Sequence, residues 1–130
     1  MLTRISCLAA LTVFITVLPH AAQVPSQHRI IYVQAVKYQA SVTPAHAAET
    51  LRSARETFRR MPQVRSVRIG RVTRTNSGAY EYALIMEFDS MDDLKAYAES
   101  AVHRQWVREH SDVPIEQHLM LTVDTAEFEN

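Results

Sequence analysis

The sequence predicts an α+β fold, a four-stranded antiparallel sheet with helices on one of its faces. Stretches with strand-like alternation and stretches with a helical repeat of three and four residues follow one another in the order βαββαβ. A turn sequence, Asn76-Ser77-Gly78, joins the two middle strands as a hairpin and so makes them antiparallel. With 130 residues, the chain has room for one domain of this kind.

The first 22 residues are not expected to belong to this fold. A single positive charge, Arg4, precedes an apolar run over residues 5–18, and residues 19–22 supply small side chains for cleavage. This is the layout of a secretory signal peptide, because the run is shorter than the roughly 20 residues of a membrane-spanning helix. An uncleaved anchor is the alternative. Residues 23–29 would form a flexible lead, and we expect a secreted or periplasmic protein, free of the membrane after cleavage.

Composition excludes several kinds of protein. The chain has 14 basic and 14 acidic residues, so loss of Arg4 leaves 13 against 14, a net charge of −1. A nucleic-acid-binding protein would be basic, and no nucleic-acid partner is expected. Cys7 is the single cysteine, so the mature chain would have no disulfide, no thiol nucleophile and no cysteine-bound metal.

The charges are unevenly distributed along the chain. Eight arginines fall within 23 residues that contain one acid, Glu56, and twelve acids follow from Glu81 onward. The arginines are Arg52, Arg55, Arg59, Arg60, Arg65, Arg68, Arg71 and Arg74. Two explanations stay open: a basic surface for anionic ligands, or solvated faces that pair with the acidic half of the chain, within one protomer or across a dimer.

The first half of the domain is predicted to be a strand followed by a helix. Residues 30–38 are rich in β-branched and aromatic residues and are apolar on both sides, which indicates a central strand. Thr43 followed by Pro44 marks a helix start, and Pro62 ends the helix. One apolar stripe is made by Ala47, Leu51, Ala54, Phe58 and Met61.

The second half is predicted to contain three strands and a broken helix. Strands are expected over residues 64–74, 80–88 and 118–128, with Gly70 marking a bulge or a close backbone approach. Ser90 and Asp93 have the spacing of a capping box at a helix start. That helix is expected to break at Ser100-Ala101 and to resume over residues 102–110.

This element order corresponds to the split-βαβ, ferredoxin-like arrangement. Helices that lie on one face leave the other sheet face open, and we expect that face to carry Tyr80 or Tyr82, Met86 and Met120. Such a face is too apolar to remain in water. A homodimer with two sheets packed face to face, a dimeric α/β barrel, would bury it.

The domain, residues 30–130, resembles the stress-responsive A/B-barrel (Dabb) family from about Ile30 to Phe128. The resemblance implies the ferredoxin-like fold and a homodimeric barrel. It rests on Val36-Lys37-Tyr38, Met61-Pro62-Gln63-Val64, Ile69-Gly70, Tyr80, Ala83 to Phe88, Leu94-Lys95-Ala96-Tyr97, His103 and Asp124.

The resemblance also implies a candidate catalytic pair. A plant polyketide cyclase of the family closes a ring by a cofactor-independent aldol reaction, using a tyrosine and a histidine that align with Tyr97 and His103. The usual His-Pro-x-His segment is replaced here by Ser100-Ala101-Val102-His103. Tyr32 stands where the first strand usually has a histidine, and the alternative is that His28 supplies that histidine in a shifted register. In such a pair the histidine takes a proton beside a carbonyl, and the tyrosine hydroxyl stabilises the oxyanion.

Each candidate residue also has a simpler interpretation. Tyr97 and His103 are predicted as catalytic, with ligand contact or helix packing as alternatives. Aromatic and apolar residues at sheet spacing can line a ligand pocket but also belong to cores and interfaces. The predicted ligand-binding residues are Tyr32, Tyr82, Met86 and Trp106, with Tyr38 and Tyr80 in the same aromatic set. No metal and no cofactor are expected, since the histidines are scattered and no metal-binding, phosphate-loop or serine-hydrolase motif occurs.

Three functions from different classes are therefore considered. The first is a module that binds a small apolar or aromatic molecule between sheet and helices, without chemistry. The second is a cofactor-independent cyclase, lyase or oxygenase that uses the Tyr97 and His103 pair. The third is a structural homodimer without ligand.

Overall fold

The computed structural model describes residues 28–74 and 78–126. The predicted signal peptide, most of the lead, Asn76 and Ser77 of the hairpin turn, and the last residues of the predicted final strand lie outside this part of the chain. Gly78, the described end of the turn, has a φ of 62°, the left-handed conformation that glycine adopts without strain. None of the helices within the two described ranges has the length and apolar character needed to cross a bilayer.

Four antiparallel strands and three helices make up the described domain. In chain order they are β1 (Ile30–Tyr38), α1 (Pro44–Phe58), β2 (Ser66–Arg71), β3 (Tyr82–Phe88), α2 (Met91–Glu99), α3 (Ala101–Glu109) and β4 (Ile115–Asp124). The sheet order is β2-β3-β1-β4, so β1 is a central strand and the predicted ferredoxin-like α+β fold is confirmed.

Side-chain caps position the three helices. The Thr43 hydroxyl accepts a hydrogen bond from the His46 amide at 3.2 Å, and the Ser90 hydroxyl accepts one from the Asp93 amide at 3.1 Å. Ser100 has extended backbone geometry, ends α2 and caps α3 by accepting from the His103 amide at 3.0 Å. The predicted helix break is therefore confirmed, and Ser100 sets the angle at which α3 leaves α2.

The strand limits differ from the predicted ones, because the partner strands set them. β4 starts at Ile115, three residues before the predicted start, since Ile115 pairs with Tyr38 after a register shift at Lys37/Tyr38. Gly70 pairs regularly with Ala83, and a Cβ built on it would meet nothing within 4 Å. The predicted bulge or close approach at Gly70 is thus wrong within the described chain.

The sheet-face prediction is also wrong for Tyr82, Met86 and Met120. Tyr82 pairs with the buried Val36 and so lies on the helix-covered side of the sheet. Met86 is buried under the helices, and so are Leu84 and Phe88, whose side chains point to the same side of β3. Met120 pairs with Gln34 and so lies on the same, helix-covered side of the sheet. The paired positions instead make the other side, here called the open face, from Ile31, Val33, Ala35, Ala83, Ile85, Leu119, Leu121 and Val123.

The open face is apolar and partly in contact with water. Leu119, Leu121 and Val123 of the edge strand β4 are 39%, 39% and 43% exposed. At one border Arg68 pairs with Glu87 at 3.4 Å, and Arg65 pairs with Asp89 at 2.6 Å. Part of the basic segment therefore pairs with the acidic half of the chain inside one protomer.

Candidate functional site

A cavity of about 370 Å³ lies between the helix-covered side of the sheet and the helices α1 and α3. Most of the surface that lines it is apolar or aromatic. Its walls are formed by Gln34, Val36, Tyr38, Thr50, Leu51, Ala54, Phe58, Leu84, Trp106, Val107, His110, Ser111, Val113, Pro114, Ile115 and His118. This volume falls within the range of about 300–1,000 Å³ that is typical of small-molecule sites.

Of the six residues predicted as catalytic or ligand-binding, Trp106 lines this cavity, and Tyr38 of the wider aromatic set lines it too. The Trp106 indole N–H donates to the Ser53 hydroxyl at 3.1 Å, which joins α3 to α1. The His110 ring stacks on it with centroids 4.3 Å apart and planes 18° apart. Since His110 follows Trp106 by one helical turn, α3 presents both rings together.

Tyr97 and His103 lie against each other, with ring centroids 4.7 Å apart. The Ser100 cap brings them together, because it holds the start of α3 beside the end of α2. His103 Nδ1–H donates to the Ala98 carbonyl at 3.0 Å. A carbonyl only accepts, so in the neutral ring Nε2 carries the lone pair and is the basic nitrogen.

The Tyr97 hydroxyl is held in its neutral form. Tyr97 is 3% exposed, and burial raises the pKa of its phenol well above the ordinary value, with the nearby Tyr32 as a lesser cause. At neutral pH it is therefore a hydrogen-bond donor and not an anion.

Phe58 lies between this pair and the cavity. Its ring packs against Tyr97 at 5.3 Å, His103 at 5.7 Å and Trp106 at 5.1 Å, centroid to centroid. Phe58 lines the cavity, whereas Tyr97 and His103 do not. The Phe58 ring thus separates the predicted catalytic pair, Tyr97 and His103, from the cavity.

Tyr32 is linked to the cavity through Gln34. The Tyr32 hydroxyl accepts from Gln34 Nε2 at 2.8 Å and donates to Met120 Sδ at 3.0 Å, and burial raises the pKa of this tyrosine. Gln34 lines the cavity and Tyr32 does not. Tyr32 packs against the core cluster that contains Phe58 and Tyr97, so it belongs with the buried core rather than with the cavity wall.

The other two predicted ligand-binding residues lie away from the cavity surface. Tyr82 packs against Tyr38 with centroids 6.1 Å apart, and the Arg71 guanidinium lies 5.7 Å from its ring. Met86 is a core residue with no exposed surface. Tyr38 lines the cavity in place of Tyr82, and burial raises the pKa of its phenol.

Sequence reasoning missed the polar groups of the cavity: Gln34, Thr50, His110, Ser111 and His118. A signal for His110 existed in its spacing of four residues from Trp106. Gln34 shares strand parity with the buried Val36 and Tyr38, which also indicated the helix-covered side. Among the described residues, no three histidine, cysteine or acidic side chains are grouped as metal ligands.

Comparison with protein families gives one match, to the stress responsive A/B barrel domain, over residues 33–123. No curated protein matches the sequence.

Solved structures of low sequence identity share the fold. A Dabb family protein with a ferredoxin-like fold from Mesorhizobium loti is 16% identical, with a TM-score of 0.65 over 75% of this chain and 96% of that one. A dimeric ferredoxin-like protein of unknown function from Thermobifida fusca is 15% identical, with a TM-score of 0.63 over 76% and 92%. The hydroxynitrile lyase from Passiflora edulis is 11% identical, with a TM-score of 0.69 over 80% and 99%.

Proposed function

This chain belongs to the stress-responsive A/B barrel domain family, and we propose that it binds a small apolar or aromatic molecule in the cavity between sheet and helices. The observation that carries the proposal is the cavity itself, about 370 Å³ with walls that include Leu51, Phe58 and Trp106. An engineered apolar cavity of about 150 Å³ already binds benzene. Burial of apolar ligand surface against these walls supplies the free energy of binding.

Filling the cavity is expected to abolish binding. Ala54 is 2% exposed, lies on α1 and lines the cavity. In Ala54→Leu the larger side chain occupies ligand volume, and a panel of small aromatic molecules should no longer raise the melting temperature or change the fluorescence of Trp106, the single tryptophan.

The matched control is Ala48→Leu, the same substitution at an exposed position of α1. It should keep the ligand response of the wild-type protein. Equal ligand responses in Ala54→Leu and the wild type would place the binding site elsewhere, and a panel without any response would contradict the proposal.

A second candidate function is proton-transfer chemistry beside a carbonyl, as in a cofactor-independent cyclase, lyase or oxygenase. The arrangement of Tyr97 and His103 favours it: a basic Nε2 and a neutral phenol lie side by side. In this function His103 takes the proton and the Tyr97 hydroxyl donates to the developing oxyanion. A substrate in the cavity reaches them only when the Phe58 ring turns aside.

This function predicts turnover that collapses in both Tyr97→Phe and His103→Ala, by about 100-fold or more in kcat/KM for loss of a general base. The measurement is a screen of carbonyl-containing aromatic substrates followed by steady-state kinetics. Turnover that survives either substitution would remove that residue from the mechanism. His46→Ala, at an exposed histidine of α1, is the control.

The third function, assembly as a homodimer, is compatible with the first two. Its support is the exposed apolar surface of β4 and the open face of the sheet, together with the dimeric state stated for the Thermobifida fusca protein. Two open faces packed together remove this surface from water. If no molecule binds in the cavity, a structural homodimer without ligand is the function that remains.

Export is the proposal for the N-terminal segment. Its support is the charged start, apolar run and small residues of positions 1–22, together with a remaining chain that has no cysteine. Intact-mass measurement of the protein expressed in a secreting host should show cleavage after residue 21 or 22. A full-length mass in the membrane fraction would instead indicate an anchor.

A further inference from the structure

Three of the polar side chains around the cavity, Thr50, His110 and Ser111, share one property: each already donates a proton to a backbone carbonyl of the protein. The Thr50 hydroxyl donates to the His46 carbonyl at 3.0 Å, and the Ser111 hydroxyl donates to the Arg108 carbonyl at 2.9 Å. His110 Nδ1–H donates to the Trp106 carbonyl at 2.8 Å. What these three side chains retain are lone pairs: two hydroxyl oxygens and His110 Nε2.

The cavity has no lysine or arginine of the described chain in its walls. Its two histidines, His110 and His118, would have to be protonated before they could pair with an anion. Burial raises the pKa of Tyr38 in the wall, which shows that this environment disfavours negative charge. A carboxylate ligand would lose its hydration without gaining an ion pair to a lysine or an arginine, and that loss is costly.

We propose that the cavity selects neutral aromatic molecules that carry a hydrogen-bond donor, such as a phenolic hydroxyl, over the same molecules carrying a carboxylate. This inference rests on the proposed ligand-binding function. The ligand hydroxyl donates to an acceptor of the Thr50, His110 and Ser111 set, and its ring packs on the apolar walls beside Trp106. Specificity arises because a ligand without a donor leaves these acceptors unpaired.

The test uses three probes that differ in one group: para-propylphenol, propylbenzene and para-propylbenzoate. Calorimetric titration at neutral pH should give a Kd for the phenol about fivefold lower than for propylbenzene, the effect of one net hydrogen bond. The benzoate should bind at least about tenfold more weakly than the phenol.

Three variants locate the acceptor, and one of them is Ser111→Ala, which removes the Ser111 hydroxyl. Thr50→Val removes a hydroxyl at constant shape, and His110→Phe keeps a ring that stacks on Trp106 while it removes Nε2. At least one of them should reduce the phenol advantage over propylbenzene toward onefold. Unchanged propylbenzene affinity in the same variant shows that the cavity remains folded. His46→Phe, at an exposed histidine, should leave all three affinities unchanged.

The outcomes separate this inference from the function on which it rests. Binding of propylbenzene or the benzoate as tight as that of the phenol overturns the selectivity and leaves the ligand-binding function intact. A full phenol advantage in all three variants, Thr50→Val, His110→Phe and Ser111→Ala, also overturns the assignment of the acceptors. Absence of binding by all three probes contradicts the ligand-binding function itself.

Discussion

Phe58→Ala is expected to lower the free energy of unfolding by about 3–5 kcal/mol, the usual cost of deleting a buried phenyl ring. Phe58 is 2% exposed and packs against the rings of Tyr97, His103 and Trp106. The large value is expected because three rigid aromatic neighbours and the elements α1, α2 and α3 cannot all collapse into the space. Denaturant unfolding followed by Trp106 fluorescence measures the change.

Val102→Ala is the comparison, since Val102 is 48% exposed on α3. Its effect should stay within about 0.5 kcal/mol. A loss below about 1 kcal/mol for Phe58→Ala would mean that the wall can rearrange, and the pair behind it would then be open to the cavity. The same variant therefore measures how firmly Phe58 separates Tyr97 and His103 from a bound molecule.

Leu121→Arg is expected to convert the proposed homodimer into monomers. Leu121 is 39% exposed in β4, pairs with Val33 and projects from the open face. In a symmetric dimer the substitution buries two unpaired charges at once. We expect the dimer Kd to rise by at least about 100-fold, as measured by sedimentation velocity over a range of protein concentrations.

Val102→Arg places the same charge at an exposed apolar residue of α3 and should leave the association state unchanged. Circular dichroism checks the folding of Leu121→Arg. We expect the variant to fold, because a side chain this exposed contributes little to the protomer's own core. A wild-type protein that sediments as a monomer would refute the homodimer, and a dimer that tolerates Leu121→Arg would place the interface on another surface.

Local signals predicted the elements because each acts within a few residues. Thr43 and Ser90 cap helices through amides three residues ahead, where the spacing indicated it, and at the predicted break Ser100 caps α3 in the same way. The pairing of Tyr97 with His103 was also within reach, since six residues and one break separate them along the chain. The position of Phe58 between this pair and the cavity could not be predicted in the same way, because Phe58 belongs to α1, far from both residues in sequence.

Four features were predicted correctly from the amino-acid pattern: the βαββαβ order, the central position of β1, the helix break at Ser100 and the resemblance that the family match confirms. Periodicity and capping depend on residues a few positions apart, so they are visible directly in the sequence. Two features required the folded structure. One is the side of the sheet on which Met86 is buried, and the other is that Trp106 lines the cavity while Tyr97 and His103 lie behind Phe58. These depend on pairings such as that of Gln34 with Met120, 86 residues apart, which local pattern does not encode.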